Sequence, residues 1–213
     1  VADILIDVQS PPSTPAAGQA VVFVDSTQKL LSTKDDAGKI STLGDLTNAS
    51  VAVQGAGFAT DTYLVGSSIA LLALVPRIRT LYQCTFDVSK SAAGTATPII
   101  IVRFGTLGTT GDAARLTFTF PAATAIADVG TFTVWALFRS IGAAGVLQGR
   151  ANLVHKGTAT GLTGLSIEPG PTVQVTSAGF DTAVANSIIG LSVNGGTSAA
   201  WTVQLVEAMV TNL

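Results

Sequence analysis

The sequence predicts an all-β protein: a jelly-roll-like β-sandwich preceded by an extended N-terminal arm and a small β-hairpin module. Three observations carry that expectation. Apolar and polar residues alternate with a period of two in several stretches, most cleanly in "ARLTFTF" (Ala114–Phe120), the signature of strands with one buried face. Clusters of Gly, Ser, Thr and Asn separate those stretches, as in "SKSAAGTAT", "GTLGTTGDA" and "NGGTSA", and such clusters mark turns. β-branched and aromatic residues fill the alternating segments.

The elements follow in chain order. "VADILIDV" places Ile4, Ile6 and Val8 on one face and reads as a strand. "QSPPSTPAAG" holds three prolines in ten residues, which favours an extended, semi-rigid spacer. Residues 1–20 are thus assigned to the arm. In the module, residues 21–50, "AVVFVD" and "QKLLST" flank the turn text "DSTQ". "KDDAGK" supplies a second turn, with Gly38 free to take a positive φ. Two or three strands of this length bury too little to be stable alone.

Charge marks the next boundary. Residues 1–50 carry six aspartates against three lysines, a net of −3, whereas residues 51–213 carry seven acids and eight bases, a net of +1. This shift places a boundary near Asn48–Gly57, and residues 51–213 form the body. Within it, Leu116, Phe118 and Phe120 face away from Thr117 and Thr119. Phe132, Val134 and Phe138 face away from Thr133, Trp135 and Leu137. "TPIIIVRF" is apolar on both faces, as in a strand covered on both sides. Trp201, Val203 and Leu205 alternate with Thr202 and Gln204. "TLYQCTFDV", "VLQGRANLVHK", "TVQVTSAGF" and "SIIGLSVN" complete the strand set, and "TAVANSII" is the one helical possibility. Roughly eight or nine strands in such a length indicate a sandwich or jelly roll.

Composition narrows function. Charged residues make up 11% of the 213-residue chain and mean hydropathy is +0.53, against about 25% charged in typical domains. Either Thr, Ser, Asn and Gln cover the surface or subunits cover one another. The net charge of −2 lacks the basic footprint of nucleic-acid binding. The apolar run "IALLALV" is too short to span a bilayer. No basic segment followed by an apolar core opens the sequence, so the expected site of synthesis is a reducing cytoplasm.

The chemistry-bearing residues are few. His155 is the only histidine, and the text around it contains no acid, so it reads as a strand-face residue. A glycosidase needs two carboxylates across one bond, but the only glutamates are Glu168 and Glu207. Asp35 and Asp36 lack the spacing of a calcium loop and read as turn formers. "GAG" (Gly55–Gly57) lacks the rest of a dinucleotide fingerprint. Cys84, the only cysteine, sits in an apolar strand and reads as a buried thiol. Arg77 and Arg79 would share a strand face. Trp135 and Trp201 could each stack on a sugar or fill the core. These readings predict no catalytic residues, no cofactor and no metal: a binding or structural protein, not an enzyme.

"GQAVVFVDSTQKLLSTKDDAGKISTL" (Gly18–Leu43) resembles a short element of tailed-phage virion proteins. "DTYLVGSSIAL", "AAGTATPIIIVRFGT", "GDAARLTFTFPA" and "TSAGFDTAVANSIIGLSVNGGTSAAWTV" are similar in the same way to head-decoration, head-fibre and tail-fibre-like structural proteins. The resemblance implies a virion protein assembled in the host cytoplasm. It further implies a homotrimer and other virion proteins, such as the major capsid protein, as partners. A capsid decoration protein docking through its N-terminal region is the leading expectation, with strand pairing by Val21, Val22, Phe23, Val24 and Asp25. The alternative is a tail-fibre or receptor-binding protein that recognises a host surface glycan.

Overall fold

The computed structural model describes residues 8–26, 31–36, 38, 40–42, 44–71, 76–155, 161–162, 173–195 and 200–212. Sixteen strands and no helix occur among them. They form three sheets.

The first sheet contains β1 (Val8–Gln9), β2 (Ala20–Asp25), β3 (Leu31–Asp35) and β4 (Ile40–Thr42), in that order. β2, β3 and β4 form an antiparallel meander, whereas β1 lies parallel to β2, with Val8 opposite Val24. Parallel neighbours need a crossover connection, and the proline-rich residues 10–19 supply it. This stretch folds back over the sheet instead of standing clear as a spacer. Lys34 Nζ donates to the Pro12 carbonyl at 2.6 Å, and the Gly18 amide donates to the Asp36 carboxylate at 2.6 Å. Gly18 and Gly38 both adopt positive φ. A Cβ on Gly38 would meet Thr14 Oγ1 at 3.2 Å, so this position favours glycine twice over. Phe23 and Ser32, opposite one another, are fully buried.

The body is a β-sandwich. One sheet runs β14 (Val173–Thr176), β13 (Val146–His155), β12 (Asp128–Ser140), β9 (Leu81–Lys90), β16 (Trp201–Thr211) and β5 (Leu46–Ser50), with β6 (Gln54–Gly57) also paired to β16. The other runs β11 (Ala113–Thr119), β10 (Ile99–Gly105), β15 (Ile188–Asn194) and β7 (Thr62–Tyr63), with β8 (Ile69–Ala70) also on β15. β9 and β16 are neighbours in the first sheet, and β10 and β15 in the second. Among the chain's crossings between the two sheets, β9 to β10 and β15 to β16 run along adjacent paths, which winds the two layers together.

Three sequence expectations change here. β5 pairs with β16 through Leu46–Val210 to Ser50–Val206, so residues 46–50 belong to the sandwich and the boundary falls between Thr42 and Leu46. In β16, a bulge between Val203 and Leu205 reverses the phase. Val206, Ala208 and Val210 are buried in place of Leu205. The "TAVANSII" stretch is not helical: Asn186 takes a positive φ in a turn and β15 follows at Ile188.

Alternation otherwise fills the core as expected. Leu116, Phe118, Phe120, Phe132, Val134 and Phe138 are all buried. Phe132 stacks on Phe86 at 5.2 Å and on Trp201 at 5.7 Å, and meets Phe120 edge-on at 5.2 Å. Trp201 therefore belongs to the core.

Candidate functional site

The groups that sequence reasoning weighed for chemistry scatter over the fold. Cys84 is buried, and loss of water around it pushes its thiol up to about 12, which leaves it protonated and inert. Arg77 and Arg79 do not share a strand face. Arg79 lies in a turn with positive φ, and the Arg77 backbone amide donates to Thr80 Oγ1. Asp36 closes the arm onto the small sheet, and Asp35 ends β3. Glu168 lies outside the described residues, and Glu207 is exposed on β16.

His155 does meet an acid, but one from the neighbouring strand. Its Nδ1 lies 3.7 Å from Asp128 Oδ2, with 8% of the histidine side chain exposed. The Asp128 carboxylate is committed to the backbone, accepting from the Leu162 and Val129 amides at 2.8 Å each. Lys90, opposite Asp128 in the sheet, donates to the carbonyls of Thr124 and Ser91 at 2.8 and 3.1 Å, and to that of Ile126 at 2.5 Å. Burial lowers its pKa, and the Asp128 charge opposes that shift. Asp128 and Lys90 thereby pin loops to the end of the sheet. Among the described residues, no group of three or more His, Cys, Asp or Glu side chains is placed to hold a metal ion. Nor is any helix among them long and apolar enough to cross a membrane.

The expected attachment strand is an interior strand. β3 pairs with Ala20–Val24, and β1 pairs with Val24 and Asp25 on the opposite side. Phe23 and Asp25 are buried, and Val22 is half exposed. Pairing with a foreign chain along the whole of Val21–Asp25 would have to displace β1 from Val24 and Asp25, whereas Val21, Val22 and Phe23 are paired only on the β3 side among the described residues. Among the described residues β1 and β4 are the two edges of this sheet.

The most developed surface is the outer face of the seven-stranded sheet, where three grooves open. One row crosses six strands there. Thr47 lies opposite Met209, Met209 opposite Gln83, Gln83 opposite Trp135, Trp135 opposite Arg150, and Arg150 opposite Gln174. Directly opposed side chains sit about 5 Å apart and interact. The indole Nε1 donates to Gln83 Oε1 at 3.2 Å, and the Arg150 guanidinium carbon lies 4.5 Å from the indole centroid. The next row on this face joins Leu81, Leu137 and Gln148. Between the rows lies a groove of about 340 Å³ lined by Leu81, Trp135, Leu137, Gln148, Arg150 and Gln174.

Sequence reasoning placed Trp135 and Leu137 on the face opposite Phe132, and this is where they lie. It missed Gln83, Arg150 and Gln174, because these come into line only through the register of β9, β13 and β14. The "SIGAAGV" turn that joins β12 to β13 was the available clue for Arg150.

No protein-family model matches the chain, and no curated protein matches it. Among solved structures, a lectin from Bauhinia forficata in complex with GalNAc superposes with a TM-score of 0.35 at 12% identity, over 91% of this chain and 92% of the lectin.

Proposed function

We propose that the chain is a non-enzymatic structural protein of a tailed-phage virion, a capsid decoration protein that docks through its N-terminal region and associates with copies of itself. The observation that carries this reading is the form of the N-terminal unit. The four-stranded sheet has its own buried centre at Phe23, and none of its strands pairs with a strand of the sandwich. Ile40 of β4 packs against the sandwich core. An edge strand can accept a strand from another protein. Attachment is assigned to this sheet through Val21–Asp25 of β2, where Val21–Phe23 are paired on one side only among the described residues, with the proline loop tied down by Lys34 and Asp36. Several linked copies would multiply a weak contact into firm binding.

Self-association rests on a second surface. Val51, Val53 and Val65 are 82%, 69% and 63% exposed. The Gln54 side chain holds this corner together: its Nε2 donates to the Val65 carbonyl and its Oε1 accepts from the Val65 amide, both at 3.0 Å. An exposed valine cluster in a chain so poor in charge suits a subunit contact. Light scattering of the purified protein should give a mass near three chains, and Val53→Asp combined with Val65→Asp should reduce it. A monomer at micromolar concentration would remove self-association from the account.

A further inference from the structure

We infer that the groove between Trp135, Leu137 and Arg150 is a binding site for a carboxylate-bearing carbohydrate. The inference does not depend on the virion reading, since it uses a different face of the molecule.

Four features define the ligand. First, the groove carries charge of one sign. Arg150 is the only ionised lining residue among the described residues, with Leu81, Trp135, Leu137, Gln148 and Gln174 neutral around it. Glu207 and Asp87 face the same side of the sheet but lie in other rows. Glu207 is opposite Thr85, and Asp87 accepts from Thr131 Oγ1 at 2.6 Å. Second, Arg150 is held in place without being neutralised. Its guanidinium rests over the indole at 4.5 Å, and no ion pair ties it to a carboxylate among the described residues. An arginine fork prepared in this way fits a carboxylate with two parallel hydrogen bonds.

Third, Gln148 and Gln174 are exposed amides beside Arg150, each able to donate and accept. Such pairs suit the adjacent hydroxyl groups of a sugar. Gln83 fixes the far side of the indole through Nε1, so the aromatic wall is set before a ligand arrives. Fourth, Leu81 and Leu137 give an apolar floor beside that wall, which suits the C–H face of a pyranose. The volume, about 340 Å³, lies near the lower end of the ~300–1,000 Å³ common for small-ligand sites. It fits a terminal acidic sugar better than a long chain. A peptide carboxylate shares the charge but does not use the paired amides and the aromatic wall together.

The test titrates the 213-residue chain with sialyllactose and with a galacturonate trisaccharide. Lactose and a neutral galactan trisaccharide serve as controls, with calorimetry and ligand-observed NMR as readouts. Binding of an acidic probe is expected, with the neutral counterparts at least about tenfold weaker, as the loss of one charge-assisted contact implies. Arg150→Gln should erase the preference for acid. Trp135→Ala should abolish binding, and Trp135→Phe should retain part of it. Both tryptophan variants should keep the native far-UV spectrum, because Trp201 and not Trp135 occupies the core. Absence of binding by either acidic probe, equal affinity for acidic and neutral sugars, or an Arg150→Gln protein with unchanged preference would each overturn the assignment.

Discussion

Arg103→Met should lower the unfolding free energy by about 3 kcal/mol, the lower part of the range for breaking a buried ion pair from one side. Arg103 lies in the middle of β10, inside the five-stranded sheet, and is buried. Its Nε donates to Ser192 Oγ at 2.7 Å, and one terminal nitrogen donates to the carbonyls of Asp112 at 2.6 Å and Thr110 at 2.9 Å. The other forms an ion pair with Asp61. Asp112 in turn accepts from the Leu107 and Gly108 amides. One guanidinium therefore ties β7's approach, β15 and the 106–112 turn to β10. Methionine would keep most of the volume and leave Ser192, two carbonyls and Asp61 without their donor. Asp61 keeps part of its side chain in water, which holds the cost below the top of the range. Adding Asp61→Leu should recover part of the loss, because replacing both partners costs less than orphaning one. Urea denaturation of the single and double variants measures both effects. A single variant within about 0.5 kcal/mol of wild type, the usual scatter for surface changes, would show that the guanidinium does not hold this end of the sandwich.

Phe132→Ala should cost about 4 kcal/mol, within the range for deleting a large buried aromatic. Phe132 is fully buried on β12 between Phe86 and Trp201 of its own sheet. It also meets Phe120, which follows β11 of the other sheet, at an interplanar angle of 77°. The cost combines lost burial, a cavity between the layers and three aromatic contacts, each worth about 0.5–1.5 kcal/mol. Phe132→Leu should lose less than half as much, since leucine refills part of the space. Equal losses for the two variants in denaturation curves would mean that shape, and not volume, controls this part of the core.

The sandwich was legible in the sequence wherever a strand has one wet face. Leu116–Thr119 and Phe132–Phe138 show this directly: period two names the buried side and needs no knowledge of partners. β16 was legible only as far as Val203. A bulge adds a residue without any compositional mark, so the face of Leu205 was assigned wrongly. β5 was assigned to the N-terminal module because charge content changes near it. Charge says nothing about pairing, and β5 is the neighbour of a strand more than 150 residues downstream. The parallel pairing of β1 with β2 was hidden because alternation through Val8 marks a strand but names neither its partner nor its direction. At the candidate site, alternation pointed Trp135 outward. Its partners Gln83 and Arg150 follow from three-strand register, which a single sequence does not display.

The attachment role of the N-terminal sheet is the central claim, and one binding measurement reaches it. A chain beginning at Gly44 keeps β5 and the whole sandwich core and loses β1 to β4. It is to be mixed with virus particles that lack the protein, alongside the 213-residue chain, and the bound fraction measured after sedimentation. The account predicts a folded protein with the same oligomeric mass, and no detectable binding to the particle. Binding equal to that of the 213-residue chain would contradict it and place the attachment face on the sandwich.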